Sequence, residues 1–209
     1  MNKIVIFDFD GVIVDSFEHS LDTIQTLFPG TTREKYRDSY KGNVYENSKS
    51  YTDKSIDEIK KVYFPLYMKG LHKIVLFSKM DKIIQDLSKR YTLTMVSSCA
   101  IGIIDAVLKR EGLQHCFDSI FDGYNFHTSK IKKFKNVFDK YNVTSKDCIF
   151  ITDTIGDLVE AEKAGIECIA VSWGYHDSAL LKQGKNKCII DQPDKILEEV
   201  KKHFANITT

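Results

Sequence analysis

With 209 residues, the chain is long enough for one well-buried domain plus an inserted subdomain, but too short for two full domains. Apolar residues make up 43% and charged residues 28%, the proportions of an ordinary soluble globular protein. Thirty Lys+Arg against 29 Asp+Glu leave a formal charge of +1, which gives no reason to expect nucleic acid or a membrane surface as partner.

The chain opens on a short apolar run at 3–7, read as a strand. It starts too near Met1 to leave room for a signal peptide, and no apolar run approaches bilayer length, so a cytoplasmic location is expected. The run leads straight into Asp8-Phe9-Asp10-Gly11. Two carboxylates at i and i+2 leave a strand on the same side, and Gly11 permits backbone conformations that other residues resist. Alone the pair is weak, because solvated turn aspartates give the same pattern.

From 16 to 77 no strand is evident. Helices are expected at 17–28, 33–40 and 56–67, and the polar stretch 41–55 reads as loop. An all-helical insert placed after the first strand reads as a small second domain. The expected division is therefore 1–15 with 78–209 as an α/β core, and 16–77 as a helical cap. Past the insert, strands at 92–96, 119–121, 148–152, 168–171 and 187–190 alternate with helices. Gly112 and Gly165 close two of those helices. The alternation predicts an α/β fold: a Rossmann-like parallel sheet core with helices on both faces and an inserted all-helical cap. The helix that begins near Ile131 should bury Ile131, Phe134, Val137, Phe138 and Tyr141. The charged end, 201–209, reads as a helix terminus with a frayed tail.

Three strand ends carry polar residues. The strand at 92–96 ends in Ser97-Ser98, the one at 148–152 ends in Asp153-Thr154-Ile155-Gly156-Asp157, and Ser129-Lys130 opens a helix between them. In an open parallel sheet the ligand crevice lies beyond the carboxyl ends of the strands. Asp8, Asp10, Asp153 and Asp157 in one crevice would repel one another unless some were protonated or a cation sat among them. Oxygen-only donors favour a hard ion and suit Mg²⁺, while the absence of His or Cys at these positions argues against zinc. Ser97 and Lys130 would then donate to phosphate oxygens. The set fits in-line phosphoryl transfer, in which positioning and charge neutralisation do most of the work. Lys132 and Lys133 compete with Lys130, which is favoured because it precedes the apolar face of its helix.

Other reactive side chains are read blandly. Cys99, Cys116, Cys148, Cys168 and Cys188 are odd in number and form no C-x-x-C pair, so neither a disulfide framework nor a structural zinc is expected. The six histidines show no ligand spacing and are assigned to surface or capping positions. Trp173 and Tyr175 are assigned to packing.

The strings DFDGVIVDS (8–16), VSS (96–98) and ITDTIGD (151–157), with Lys130, resemble the four motifs of the haloacid dehalogenase-like hydrolase superfamily. The resemblance spans nearly the whole chain, including Ala164-Gly165-Ile166 and Trp173-Gly174-Tyr175. The insert resembles the small helical cap of the phosphoglycolate phosphatase and β-phosphoglucomutase branch. The resemblance implies that Asp8 is a nucleophile that becomes phosphorylated, and that Asp10 is the general acid and base while giving its backbone carbonyl to Mg²⁺. It further implies that Asp8 and Asp153 bind the metal, that Asp157 supports it directly or through water, and that Ser97 and Lys130 hold phosphate, with Ser98 able to share the task of Ser97. One departure stands out: the third motif commonly reads Lys-Pro, and here Ile131 follows Lys130.

The implied activity is a Mg²⁺-dependent phosphatase acting on a small phosphorylated metabolite through an aspartyl-phosphate. A sugar-phosphate mutase shares every core residue and is the alternative; a non-catalytic phosphate- or metal-binding protein is a third. A phosphonatase would need a cap lysine poised for a Schiff base, and a dehalogenase would leave Asp10 without a task. Finally, Tyr40-Lys41-Gly42-Asn43 resembles the substrate loop of the mutase branch. That resemblance would bring Lys41 into the crevice when the cap closes; a solvated helix-end lysine is the equally open reading.

Overall fold

Every side chain of the first strand, β1 (Ile4–Phe7), is buried. Val5 and Phe7 join one apolar cluster, Ile4 and Ile6 another. Alternation at period two combined with complete burial is what a strand shows when helices cover both faces of its sheet. The computed structural model describes residues 2–47, 54–126, 129–186 and 188–205.

Two short strands, β2 (Val14–Asp15) and β3 (Val75–Leu76), follow. After them come β4 (Thr92–Val96), β5 (Ser119–Phe121), β6 (Cys148–Thr152), β7 (Glu167–Val171) and β8 (Cys188–Ile190). Six strands form one sheet in the order β5-β4-β1-β6-β7-β8, every pair parallel. β1 lies at its centre between β4 and β6. Those are the three strands whose ends carry the polar motifs, so the fold makes neighbours of segments far apart in sequence. Phe7 and Phe150 are wholly buried, each a gain of about 1.5–3 kcal/mol in burial alone.

The insert is α1 (Phe17–Leu27), α2 (Arg33–Asp38), α3 (Val44–Asn47) and α4 (Ile56–Lys69). Ser55 and Glu58 close a capping box at the start of α4, a device that satisfies two otherwise orphaned N–H groups. Two expectations fail here. The stretch read as strand-free contains β3, which pairs antiparallel with β2. Two residues are too few to leave an alternation in the sequence. The stretch read as loop carries a 3₁₀ turn at Ser39–Lys41 and then α3; the rest of it, 48–53, falls outside the described residues, as do His127 and the tail 206–209.

Helices α5 (Met80–Ser88), α6 (Ile101–Arg110), α7 (Lys130–Tyr141), α8 (Ile155–Ala164), α9 (Ser178–Leu181) and α10 (Ile196–Ala205) complete the fold. The buried face of α7 differs from the expected one. It is Lys130, Lys133, Phe134 and Val137, with Ile131 only half-buried, because two lysines find polar partners inside. The histidines also depart from a surface assignment: His19, His176 and His203 are buried. His176 does serve as a cap, its Nδ1 accepting the Ile155 N–H at 3.0 Å at the start of α8. No helix among the described residues is long and apolar enough to cross a membrane.

Candidate active site

Asp8 is the first residue past β1, and its N–H still donates to the Ile151 carbonyl at 3.0 Å. The backbone ladder thus holds the residue in place. Its Oδ1 accepts the N–H of Phe9 at 2.7 Å. The chain then turns at Gly11, with φ of +73°, a conformation that costs other residues a steric penalty. A Cβ at Gly11 would also run into the Asp153 carboxylate. Gly11 is therefore required twice over. Asp10 sits on the outer side of this turn, where the Tyr67 hydroxyl donates to Oδ1 at 3.4 Å.

Past β4, the Ser97 hydroxyl accepts the N–H of Cys99 at 3.2 Å, and the Ser97 carbonyl accepts from the buried Lys133 ammonium at 2.5 Å. Past β6, Asp153 is fully buried. Its Oδ2 accepts the Tyr175 N–H at 2.7 Å, while Oδ1 has no hydrogen-bond partner. A Cβ at Gly174 would collide with the same carboxylate. Asp157 lies in the first turn of α8. Its Oδ2 accepts from the Thr152 hydroxyl and from Lys130, each at 2.6 Å.

Lys130 ties these pieces together. From the first residue of α7 its ammonium donates to Asp8 Oδ2 and to Asp157 Oδ2, both at 2.6 Å. Of the three neighbouring lysines it alone reaches the carboxylates. Lys132 is exposed and Lys133 turns to Ser97.

One ammonium serves several acids, and the electrostatics reflect that shortage. Burial pushes the Asp8 carboxyl up to about 7, against the pull of Lys130 and with the push of Asp157. Burial also raises Asp10 and, well above the usual range, Asp153, which Asp8 pushes further. Burial works on Asp157 in the same sense, but Lys130 and the Thr152 hydroxyl outweigh it and hold that carboxyl low. At Asp8 the desolvation effect is thus larger than the pull of Lys130.

The metal question turns on the same atoms. Among the described residues no three carboxylate, imidazole or thiolate groups converge as a ready-made metal site, since Lys130 stands between Asp8 and Asp157. Asp153 nonetheless offers a buried carboxylate oxygen, Oδ1, with no hydrogen-bond partner, while Gly11 and Gly174 close in on its other oxygen, Oδ2. A buried, unpartnered anionic oxygen is costly unless something positive meets it. Asp8 and Asp153 are oxygen donors of the kind that suits Mg²⁺, which keeps several waters and needs only one or two carboxylates.

Above the carboxylates lies a cavity of about 150 Å³, partly roofed by the insert. Among the described residues seven tyrosines line it: Tyr36, Tyr40, Tyr45, Tyr63, Tyr67, Tyr124 and Tyr175. The Tyr45 hydroxyl donates to the Ser98 carbonyl at 2.5 Å and the Lys60 ammonium to the Gly123 carbonyl at 2.7 Å, so roof and floor touch directly. Tyr175, assigned to packing, is buried and forms part of the cavity wall. The Lys41 ammonium pairs with Asp38 at 2.7 Å, half-exposed, and is not among the residues that line the cavity in this structure. Residues that sequence reasoning missed include Thr152 and the insert's tyrosines; Lys133, a rival for phosphate in the sequence, holds the Ser97 carbonyl instead. The i, i+4 spacing of Tyr36 with Tyr40 and of Tyr63 with Tyr67 was the available signal.

The family profile described as haloacid dehalogenase-like hydrolase matches residues 5–171. Among curated proteins, a phosphoglycolate phosphatase of Psychrobacter arcticus is 22% identical over 202 residues, covering 87% of this chain and 88% of that one. Among solved structures, a haloacid dehalogenase-like family hydrolase from Streptococcus pneumoniae superposes with a TM-score of 0.79 at 22% identity, over 95% of this chain and 98% of that one. CbbY from Rhodobacter sphaeroides, solved in complex with phosphate, gives 0.77 at 16% identity, over 94% and 96%. At these identities the structural likeness carries the fold.

Proposed function

Because the chain belongs to the haloacid dehalogenase-like hydrolases, we propose that it is a Mg²⁺-dependent phosphatase that cleaves a small phosphorylated metabolite through an aspartyl-phosphate on Asp8. The observation that carries the reading is the junction of Lys130 with Asp8 and Asp157 at 2.6 Å each, in a buried crevice at three adjacent strand ends. Relatives named phosphoglycolate phosphatase, at 20–23% identity, support the reaction class. Residues 16–77 act as the cap, entered and left beside the β2–β3 ribbon.

In the first step an oxygen of Asp8 attacks phosphorus; the new O–P bond forms as the ester P–O bond breaks, and Asp10 gives its proton to the departing alcohol oxygen. In the second, Asp10 takes a proton from a water whose oxygen attacks the same phosphorus. Inorganic phosphate leaves and Asp8 is restored. The raised Asp10 carboxyl suits it to hold a proton near neutral pH. Ser97 and Lys130 hold the phosphoryl oxygens; Ser98 shares in that, and Asp157 keeps Lys130 aimed at Asp8. Asp8, Asp153 and the Asp10 carbonyl would hold Mg²⁺, with Asp157 supporting it directly or through water. When bound, the ion neutralises charge that builds on the phosphoryl oxygens.

Hydrolysis of p-nitrophenyl phosphate tests the reading. It should require Mg²⁺, vanish in EDTA, and fall with excess Ca²⁺, which takes more ligands at longer distances. Full turnover in metal-free buffer would refute it.

A further inference from the structure

The cavity roof is poor in charge and rich in rings. Among the described residues only two cations line it, Lys130 and Lys60. Lys130 is already shared by two carboxylates. Lys60 donates to the Gly123 carbonyl and lies over the Tyr124 ring, 4.5 Å from its centroid. Burial pulls its pKa down.

The tyrosines have mostly used their polar ends on the protein itself. The hydroxyls of Tyr36 and Tyr40 bond each other at 2.9 Å. Tyr45 donates to Ser98, and Tyr175 bonds Ser16 and Ser20 at 3.2 Å each. What the rings offer a guest is mainly carbon, with isoleucines 24, 56, 59 and 103 between them, and Ser20, Asn43 and Ser98 are among the polar residues in the lining. Aromatic faces carry the negative side of the ring quadrupole, so they attract cations and apolar groups and disfavour anions. Burial holds the Tyr63 and Tyr67 hydroxyls well above their ordinary pKa. Cavities of about 150 Å³ with apolar walls take a single benzene ring.

We infer that the cavity selects phosphate monoesters of small, uncharged, carbon-rich alcohols, aromatic ones by preference, and turns away alcohols that carry a carboxylate. This rests on the phosphatase reading above and narrows it. Among the described residues, a carboxylate in this cavity would lie against ring faces, with Lys60, held at the Gly123 carbonyl and the Tyr124 ring, as the one roof cation, and a buried charge without a close partner is strongly disfavoured. Phosphoglycolate, the ester in the names of the relatives, is such a molecule.

Two measurements on the full chain with Mg²⁺ test this. First, kcat/KM is compared for benzyl phosphate, ethyl phosphate and phosphoglycolate, all esters of alkyl alcohols. Benzyl phosphate should exceed phosphoglycolate by at least ~100-fold, with ethyl phosphate between them. Second, calorimetry compares the non-hydrolysable benzylphosphonate with phosphonoacetate, and the aromatic ligand should bind more tightly. Tyr63→Ala should narrow the benzyl-over-ethyl ratio by about tenfold. If benzylphosphonate wins but no ester is turned over, the catalytic reading falls and the selectivity stands. If phosphoglycolate is cleaved as well as benzyl phosphate, or phosphonoacetate binds as tightly, the inference is overturned and the phosphatase reading survives. An unchanged ratio in folded Tyr63→Ala, or no binding of benzylphosphonate, likewise overturns it.

Discussion

The floor of the cavity gathers four carboxylates and one buried lysine at the ends of three strands, while its roof gathers tyrosine rings from an inserted set of helices. The floor is fixed by backbone: Asp8 is still in the sheet ladder, and Asp157 and Lys130 sit in the first turns of α8 and α7. The roof is fixed by packing of rings, such as Tyr40 on Tyr175 at 4.8 Å between centroids, and joins the core beside the two-rung β2–β3 ribbon. Charge is thus concentrated where atoms are held most firmly, at a cost in folding free energy, and choice among substrates is left to the part that can change without disturbing it.

Breaking the floor should have the largest effect. Asp10→Asn keeps the nucleophile but loses proton transfer in both steps, so kcat for alkyl phosphates should fall by about 10²–10⁴. The loss should be smaller for p-nitrophenyl phosphate, whose leaving group scarcely needs a proton. Equal losses for both esters would remove Asp10 from the acid role.

Removing a floor charge should also sharpen the contrast in stability. Burial raises the Asp153 pKa, so the folded state is penalised above that pKa and relieved as pH falls through it. Asp153→Asn keeps the acceptor for the Tyr175 N–H. It should abolish Mg²⁺-dependent turnover yet raise Tm in EDTA at pH 7.5 by about 2–4 °C, the effect of ~1 kcal/mol on a chain of this size. The advantage should shrink on acidification, as the native carboxyl takes up a proton. A lower Tm for the variant would mean that the buried charge is not a burden.

The smallest effect concerns a link between the two regions. His176 accepts the Ile155 N–H through Nδ1, while Nε2 meets the Arg37 carbonyl of α2 at 3.1 Å. Nδ1 as acceptor requires a neutral ring with its proton on Nε2, and burial lowers its pKa. The sign is opposite to that of Asp153: stability is in place above the ordinary value of about 6.5 and is lost as pH falls through the folded pKa. Tm should therefore decline below about pH 6.5 with a component that His176→Gln removes. A Tm profile unaltered by the substitution would deny the link.

The same division explains what the sequence made legible. Asp8, Asp10, Asp153 and Asp157 follow buried apolar runs, so strand periodicity alone carried them to one end of the sheet, and Lys130 came with the start of its helix. The role of Lys133 was not legible: the sequence offered it as a rival for phosphate, and only the folded chain shows its ammonium spent on the Ser97 carbonyl. The β2–β3 ribbon was too short to leave a period. The roof was least legible of all. Its rings come from α2, the 3₁₀ turn after it, α3, α4 and two loops of the core, and only the folded chain shows that they share one wall. Lys41 shows the converse: a loop that resembled a substrate contact spends its charge on Asp38.

The central claim is that Asp8 carries the phosphoryl group, and trapping that intermediate tests it most directly. A radiolabelled phosphate ester is mixed with protein and Mg²⁺, quenched in acid within milliseconds, and the label mapped by peptide digestion. The wild-type chain should show label on the peptide containing Asp8, Asp10→Asn should hold it longer once formed, and Asp8→Asn should show none. Label that persists in Asp8→Asn, or that maps to another peptide, would contradict the account.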